Sequence, residues 1–200
     1  MSEIYPQRLD VDREAREALK HQRARCFWFT GLPASGKSTI ANLLEIRLHA
    51  AGRHSYVLDG DNIRQGLSRD LDFTHAARTE NIRRVAEVSR LMVDAGLIVI
   101  AAFISPFRAE RAFARSLFER ERFVEVFIDA PLAVCERRDP KGLYAKARSG
   151  ALHHFTGYDS PYEPPEQPDV RIDTVAFSAR EAAEHLALLA ECPIKATSVG

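Results

Sequence analysis

Residues 31–39 carry the side chains that point most directly to chemistry. They read Gly-Leu-Pro-Ala-Ser-Gly-Lys-Ser-Thr and fit the phosphate-binding pattern G-x-x-x-x-G-K-[ST]. Glycines let such a loop curl so that backbone N–H groups point at phosphate oxygens. Lys37 supplies a charge for the β- and γ-phosphates, and the Ser38 hydroxyl can ligate Mg²⁺. The pattern predicts a nucleoside triphosphate site formed by Gly31, Leu32, Pro33, Ala34, Ser35, Gly36, Lys37, Ser38 and Thr39.

Two carboxylates stand at the end of the second predicted strand, residues 55–59. Asp59 closes that strand, and Asp61 follows it after one glycine. Carboxylates at a strand end that faces a triphosphate can hold Mg²⁺, directly or through water, and one can orient an attacking hydroxyl. Asp61 can also cap the helix that follows, and the two roles are compatible.

Arg64, Arg78 and Asn81 follow these carboxylates along the chain. Arg78 comes just before a helix predicted to begin at Thr79, where free backbone N–H groups attract anions. A single arginine is usually a solvated surface charge. Because these residues group around two strand-end loops, they favour a second anion site beside the first.

Ser105 follows the longest apolar run of the chain and precedes Pro106. Its hydroxyl can act as a nucleophile, as a hydrogen-bond donor or simply in a turn, and the sequence does not choose among these roles. No Ser-His-Asp arrangement or metal-ligand histidine spacing indicates a hydrolase. We expect His153 and His154 to be a surface pair.

Strand and helix patterns alternate along the chain. The run 97–104 is continuously apolar, as in a central strand that is buried on both faces. Such alternation predicts an α/β fold of the P-loop type, a doubly wound parallel sheet of about five strands flanked by helices. Ligands in these sheets bind beyond the carboxyl ends of the strands. Strands are predicted at 26–30, 55–59, 97–104, 123–129 and 170–173, and helices at about 40–48, 79–95, 108–122, 131–138 and 178–190.

The stretch 139–168 has neither strand nor helix periodicity. It contains three glycines and a cluster of prolines, and a loop of this length in a compact domain is usually functional, often a lid. A disordered insertion is the alternative. Aromatic residues in the stretch argue against full disorder: Tyr144, Phe155, Tyr158 and Tyr162.

Composition limits the class of protein. With 200 residues the chain is long enough for one domain with a substantial core. Lys+Arg and Asp+Glu number 28 each, so no global field attracts nucleic acid or an anionic membrane. No apolar stretch approaches the ~18 residues of a membrane span, and the N-terminus lacks a signal-peptide apolar region. Neither nucleic acid nor a membrane is an expected partner.

The three cysteines are Cys26, Cys135 and Cys192. Their odd number and wide spacing argue against a disulfide framework or a zinc site, which predicts a reduced, cytoplasmic setting. The predicted organisation is a charged lead-in over residues 1–24, a domain over 25–192 with its lid at 139–168, and a tail over 193–200.

Several segments together resemble the adenosine 5′-phosphosulfate (APS) kinase, or adenylylsulfate kinase, family. The phosphate loop is generic, but five further segments, of which the first four in this order are specific to the family, extend the resemblance over nearly the whole domain. They are Leu-Asp-Gly-Asp-Asn-Ile-Arg at 58–64, Glu-Asn-Ile-Arg-Arg-Val-Ala-Glu-Val at 80–88, Phe-Ile-Ser-Pro at 103–106, Arg-Asp-Pro-Lys-Gly-Leu-Tyr at 138–144 and Phe-Thr-Gly at 155–157.

The resemblance implies transfer of the ATP γ-phosphoryl to the 3′-hydroxyl of APS, which forms 3′-phosphoadenosine 5′-phosphosulfate (PAPS), with Mg²⁺ held by Ser38 and Asp61. Lys37, Asp61 and Ser105 are the implied catalytic residues. The Ser105 counterpart is described as a phosphoserine intermediate, and direct transfer with Asp61 orienting the hydroxyl is an equally sound route. The loop and Arg138 are implied to bind ATP, and the residues implied to bind APS are Asp59, Arg64, Phe73, Arg78, Asn81, Ile104, Ser105, Lys141 and Phe155.

Departures from the family pattern are small. Pro33-Ala34 stands where Ser-Gly or a similar pair is usual, Asp72 replaces a common glycine before Phe73, and Tyr158 replaces an aliphatic residue. The resemblance also implies a homodimer. Because Met1 precedes the lead-in, a stand-alone enzyme is expected, and association with an ATP sulfurylase stays open. A different small-molecule kinase and an inactive nucleotide-dependent regulator are the alternatives.

Overall fold

A parallel five-stranded sheet forms the centre of the protein. The structure, a computed structural model, describes residues 5, 7 and 9–191, so Cys192 and the predicted tail 193–200 lie outside the described residues. The strand order is β2-β3-β1-β4-β5, which confirms the predicted doubly wound sheet. Its strands are β1 (Arg25–Thr30), β2 (Ser55–Asp59), β3 (Ile98–Ala102), β4 (Phe123–Asp129) and β5 (Val170–Asp173).

Helices cover both faces of this sheet. A short 3₁₀ turn, Arg120–Arg122, leads into β4. Within the described part of the chain, no helix has the length and apolar character that a membrane span needs. The helices are α1 (Arg13–Lys20), α2 (Lys37–Ala50), α3 (Gly60–Gln65), α4 (His75–Asp94), α5 (Arg108–Ser116), α6 (Leu132–Arg138), α7 (Leu143–Arg148) and α8 (Ala179–Glu191).

The central strand β1 divides the core into two layers. Alternate side chains point to opposite faces of a strand, so Phe27 packs with α2 and α8 while Trp28 packs with α4 and α5. In register, Phe27 lies beside Ile100 of β3 and Val124 of β4. Because both faces of β1 are buried, its whole run is apolar or aromatic apart from its two end residues.

Three predicted boundaries were wrong. Helix α4 begins at His75 rather than Thr79, because the Thr74 side chain accepts from the backbone N–H of Ala77 and caps the helix four residues earlier. Arg78 therefore lies inside the helix and not before it. Strand β3 is Ile98–Ala102 and shorter than the predicted 97–104, and α5 ends at Ser116 instead of running to 122.

The lead-in residues that are described pack on the domain through α1. Asp12 caps this helix by accepting from Ala15 N, and Arg16 pairs with Asp94 at 2.7 Å. Glu17 accepts from the guanidinium of Arg122 and from the backbone N–H of Ala24. These bonds join α1 to the start of β1 and to the turn before β4.

The pair between Glu17 and Arg122 predicts a stability difference within α1. Both side chains are largely buried, and Glu17→Ala leaves the Arg122 charge with the more distant, exposed carboxylate of Glu119, at 3.7 Å. We expect Glu17→Ala to lower the free energy of unfolding by about 3 kcal/mol, as for other broken buried pairs.

The control is Glu14→Ala on the same helix, which removes an exposed pair with Arg13. Such pairs contribute less than about 1 kcal/mol. Urea unfolding of both variants makes the comparison, and equal losses in the two would contradict the role given to Glu17.

Candidate active site

One large cavity of about 960 Å³ opens where β1, β2 and β3 end. The chain reverses its direction of sheet growth at β1, and the crevice beside such a reversal is where open α/β sheets bind ligands. Most of the predicted site residues line this cavity. They are Pro33, Ala34, Ser35, Gly36, Lys37, Ser38, Thr39, Asp59, Asp61, Arg64, Phe73, Arg78, Asn81, Ile104, Ser105, Arg138, Lys141 and Phe155.

The loop between β1 and α2 has the conformation that a phosphate site needs. Gly31 has φ +154°, and a Cβ there would lie closer than 3.0 Å to the carbonyl oxygen of Ile128. Gly36 has φ +112° and precedes the first residue of α2. Ala34 adopts φ +59°, a left-handed conformation that costs a non-glycine residue about 1–2 kcal/mol. The non-glycine residue at position 34 is thus held in a conformation that glycine adopts more easily.

Lys37 folds back over this loop. Its Nζ donates to the carbonyl oxygens of Gly31 at 2.9 Å and Leu32 at 2.7 Å. Burial disfavours the ammonium and lowers the pKa of Lys37 to about 8, although Asp59 partly opposes this shift. Bound phosphates would stabilise the charged form.

Asp59, and not Asp61, caps α3. One Asp59 carboxylate oxygen accepts from Asp61 N at 3.1 Å and the other accepts from the Ser38 hydroxyl at 2.7 Å. The possibility that Asp61 is the cap was therefore wrong. The Asp61 carboxylate instead pairs with Lys141, and this hydrogen bond raises the pKa of Lys141.

The oxygens of this corner fit Mg²⁺. A hydroxyl and a carboxylate already in contact, with a second carboxylate two residues on, are hard ligands of the kind that Mg²⁺ prefers. No group of three or more His, Cys, Asp or Glu side chains forms a metal cage among the described residues. A metal bound here would depend on water and phosphate oxygens for the rest of its ligands, as Mg²⁺ usually does.

Cationic and aromatic residues line the other half of the cavity. The Arg64 guanidinium lies 4.4 Å from the centre of the Phe73 ring, and this ring is 60% exposed. Arg78 is partly buried, which lowers the pKa of its guanidinium, and it donates to Thr156 Oγ1 at 3.2 Å. Asn81 is 5% exposed, and its Oδ1 has no hydrogen-bond partner among the residues that the structure describes. A buried acceptor without a donor indicates a place for a polar ligand group.

Ser105 lies at the edge of the cavity, and 1% of the residue's surface is exposed. Its φ is +37°, in the left-handed region. The indole N–H of Trp28 donates to Ser105 Oγ at 3.2 Å, and the Thr30 hydroxyl donates to the carbonyl oxygen of Ile104 at 2.7 Å. Among the described residues, no carboxylate or imidazole is hydrogen-bonded to this serine hydroxyl.

The stretch 139–168 is folded and packs on the phosphate loop. Its first part contains α7, which the sequence analysis missed, and Tyr144 there donates to the carbonyl oxygen of Pro33 at 3.2 Å. The Phe155 ring meets Tyr144 edge-on at 4.8 Å. A Cβ on Gly157 would come within 2.9 Å of Leu32 Cδ2. The aromatic residues thus order the stretch, as expected, and its movement as a lid stays a prediction.

The sequence analysis missed the side of the cavity that β5 supplies. Arg138 donates to Thr174 Oγ1 at 2.9 Å and to Ser35 O at 3.2 Å. Phe177 lines the cavity beside them. The sequence contained a signal for Thr174 and Phe177, because both follow the carboxyl end of the last predicted strand, where ligands bind. His153 and His154 are exposed, as expected, but they also border the cavity.

Comparison with known proteins decides the family. The family model for adenylylsulphate kinase matches residues 23–173. The chain belongs to this family. The resemblance noted from the sequence motifs is therefore confirmed.

Relatives of two lengths match the chain. It is 59% identical over 172 residues to the adenylyl-sulfate kinase of Aeromonas salmonicida, covering 86% of this chain and 88% of that one. It is 61% identical over 183 residues to the bifunctional enzyme NodQ of Rhizobium sp. strain N33, covering 92% of this chain and 28% of NodQ. The chain thus spans less than a third of the length of such bifunctional relatives.

A solved structure shares the fold in detail. It is the Mycobacterium tuberculosis APS kinase CysC in complex with AMPPNP and APS, with a TM-score of 0.80 and 49% identity. The match covers 84% of this chain and 98% of that one. The adenylylsulphate kinase fold therefore extends over most of the described residues.

The lowered pKa of Lys37 makes a prediction about pH for this member of the adenylylsulphate kinase family. Because the free ammonium loses its proton near pH 8 and the triphosphate binds the charged form, affinity should be full below pH 7 and fall as pH rises. We expect the Kd for a magnesium-bound, non-hydrolysable ATP analogue to rise about tenfold between pH 7 and pH 9. Calorimetry in buffers of different ionisation heat should show proton uptake on binding at pH 8.5.

The control is Lys37→Arg. A guanidinium stays charged over this range, so its affinity, even if weaker, should not change with pH. A wild-type Kd that is constant from pH 7 to pH 9 would contradict the role of Lys37 titration.

Proposed function

We propose that the chain is an adenylylsulfate kinase that transfers the γ-phosphoryl group of ATP to the 3′-hydroxyl of APS and forms PAPS for sulfate assimilation. The observation that carries this proposal is that one cavity contains both the phosphate loop and a second cationic, aromatic half. The family match and the solved relative that holds AMPPNP and APS together support the same reading.

ATP would occupy the half of the cavity beside α2 and β5. Backbone N–H groups of the loop and the positive end of α2 would hold its phosphates, with Lys37 adding a charge. Arg138 and Phe177 border the same half and are suited to the nucleoside, because a guanidinium and a ring can both lie against a base. Contacts of Arg138 to the loop fix its place there.

APS would occupy the other half. The exposed Phe73 ring, held by Arg64, offers a face on which an adenine can stack. Asn81 Oδ1 is a buried acceptor that an adenine amino group would satisfy. Arg78 supplies a positive charge for the phosphosulfate. Ile104 and Ser105 would line the floor between the two nucleotides.

Mg²⁺ would be held by Ser38 and Asp61, with Asp59 beside them, and when bound it would neutralise charge on the phosphates. The Asp59 carboxylate accepts from the Ser38 hydroxyl and so holds it at the end of β2. Asp61 also faces the region where the acceptor hydroxyl would lie, and its pairing with Lys141 ties it to the stretch 139–168. Its release from Lys141 would free a carboxylate to orient that hydroxyl.

Direct transfer is the route that the geometry favours over a phosphoserine. Positioning of two bound nucleotides supplies most of the catalysis that phosphoryl transfer needs. Ser105, by contrast, accepts a hydrogen bond from Trp28, and among the described residues it has no base within hydrogen-bond distance to take its proton. We therefore propose that Ser105 shapes the site and that the protein works without a covalent phosphoprotein intermediate.

A homodimer and a functional link to an ATP sulfurylase are part of the proposal. Bifunctional relatives that are much longer than this chain are consistent with a neighbouring activity. Cys26 and Cys135 are free and buried in the structure, which fits a reduced cytoplasm.

A coupled assay of ADP release tests the function. Purified protein with MgATP should release ADP when APS is added, because only APS fills the second half of the site and presents a 3′-hydroxyl. Gluconate and nucleoside monophosphates, the acceptors of other small-molecule kinases, should give no more than the background rate. Lys37→Ala is the control for contaminating kinases and should abolish release. If APS gives no ADP, the two alternative functions are a different small-molecule kinase and an inactive nucleotide-dependent regulator.

Ser105→Ala separates the two routes of transfer. If transfer is direct, this variant should keep measurable turnover, with kcat reduced no more than about 10²-fold by the misplaced loop. The matched control is Ser116→Ala, because the Ser116 hydroxyl donates to the nearby carbonyl oxygen of Phe113, and the kcat of this variant should equal that of the wild type. Complete loss of turnover in Ser105→Ala, with nucleotide binding intact, would favour the phosphoserine.

A further inference from the structure

The backbone at Ser105 needs an external restraint. Its φ of +37° is one that a serine rarely adopts, and the residue belongs to the short connection between β3 and α5. Residues in such conformations persist only when the surrounding structure holds them, and they cluster at active sites. Neighbouring side chains must therefore supply this restraint.

The Thr30 hydroxyl of β1 donates to the carbonyl oxygen of Ser105 at 3.3 Å, and Arg111, in the first turn of α5, is a charged side chain that reaches the same connection. Arg111 is 3% exposed. Its guanidinium donates to the carbonyl oxygen of Ser105 at 2.6 Å, to Glu125 Oε1 at 2.8 Å and to the carbonyl oxygen of Glu163 at 2.6 Å. The three acceptors come from three separate parts of the chain, so one planar group fixes their relative positions.

Glu125 anchors this guanidinium to the sheet. It lies in β4, directly beside Trp28 of β1, and its side chain is largely buried. Burying a charged pair is favourable only when the geometry is good and the remaining donors are satisfied, as they are here. The central sheet, through Glu125, therefore holds the Arg111 side chain in place.

Glu163 connects the same guanidinium to the second part of the stretch 139–168. Its backbone N–H donates to the carbonyl oxygen of Pro106 at 2.8 Å, and its carboxylate accepts from Arg108 N at 2.8 Å. The connection 103–107 and residue 163 thus form one hydrogen-bonded unit with Arg111 at its centre.

We propose, on the premise of the kinase activity given above, that Arg111 is a positioning residue for the phosphoryl transfer. It holds the Ser105 backbone in its left-handed conformation, so that the Ser105 hydroxyl stays against Trp28 and the floor between the two nucleotides keeps its shape. It does not touch either nucleotide. Displacements of about 1 Å in such a floor reduce turnover by as much as 10²-fold.

Lysine cannot replace this arginine. A guanidinium presents its donors in a flat, fixed fork, whereas an ammonium is a single point of charge on a flexible stem. Arg111→Lys keeps the charge that Glu125 needs but cannot reach three acceptors in different directions. Arg115→Lys is the matched control, because Arg115 lies one turn further along α5 and shares Glu125 but bonds Asp169 and not Ser105.

Kinetics form the first part of the test. For Arg111→Lys we expect kcat per nucleotide-binding site to fall about 10- to 100-fold and KM for APS to rise severalfold, while KM for MgATP stays within about twofold. Arg115→Lys should match the wild type within about twofold in kcat, in KM for APS and in KM for MgATP. A purely structural role would lower the number of active sites without raising KM for APS, and that result overturns the proposal.

Trp28 fluorescence forms the second part and needs no turnover. Trp28 is the single tryptophan of the chain, and its N–H is bonded to Ser105. Arg111→Lys should shift the emission of the folded protein in the same direction as Ser105→Ala, and Arg115→Lys should leave it unchanged. An Arg111→Lys spectrum identical to that of the wild type overturns the proposal even if the protein proves inactive with APS.

Glu125→Gln gives a second variant if Arg111→Lys does not fold. It keeps the size of the side chain but removes the charge that holds the guanidinium. It should therefore lower kcat, raise KM for APS and shift the Trp28 emission, each by less than Arg111→Lys does. Wild-type turnover of APS is measured first, and its absence refutes the proposed function. If the wild type is active but Arg111→Lys and Glu125→Gln leave both KM for APS and the Trp28 emission unaltered, only the role of Arg111 is refuted.

Discussion

The close approach of Gly31 to strand β4 is the constraint on which the rest of the site depends. Because a Cβ at this position would overlap the carbonyl oxygen of Ile128, only glycine lets the chain leave β1 and turn at once into the phosphate loop. After this turn Lys37 folds back over the loop and donates to the carbonyl oxygen of Gly31. The start of α2, the Ser38–Asp59 contact and the surface that receives Tyr144 all follow from the path set at this one residue.

Four cations of the cavity share a common state, whereas Lys141 pairs with the Asp61 carboxylate. The ammonium of Lys37 and the guanidinium groups of Arg64, Arg78 and Arg138 each donate to backbone carbonyl oxygens. Carbonyl oxygens satisfy hydrogen bonds but do not neutralise charge, and burial lowers the pKa of Lys37, Arg64 and Arg78. Anionic groups that entered the cavity would therefore gain both charge pairing and donors that are already in position.

Two sets of contacts join the stretch 139–168 to this site. Its first part packs Tyr144 and Phe155 on the phosphate loop, and its second part bonds through residue 163 to Arg111 and the connection after β3. The Asp61–Lys141 pair adds an exposed link between α3 and the same stretch. Both halves of the cavity are thus connected to one segment, as the predicted lid requires.

The amino-acid sequence by itself determined the phosphate loop, the five strands and many of the residues that border the cavity, because local spacing and apolar runs report local backbone shape and burial. It did not determine that Asp59 caps α3 or that Thr74 starts α4 early. Nor did it determine that Arg111 bonds the carbonyl oxygen of Ser105 or that Phe177 lines the cavity. Those features depend on which distant segments become neighbours, and only the strand order β2-β3-β1-β4-β5 decides this. A buried arginine and a surface arginine look the same in a sequence, and the difference between them is made by packing.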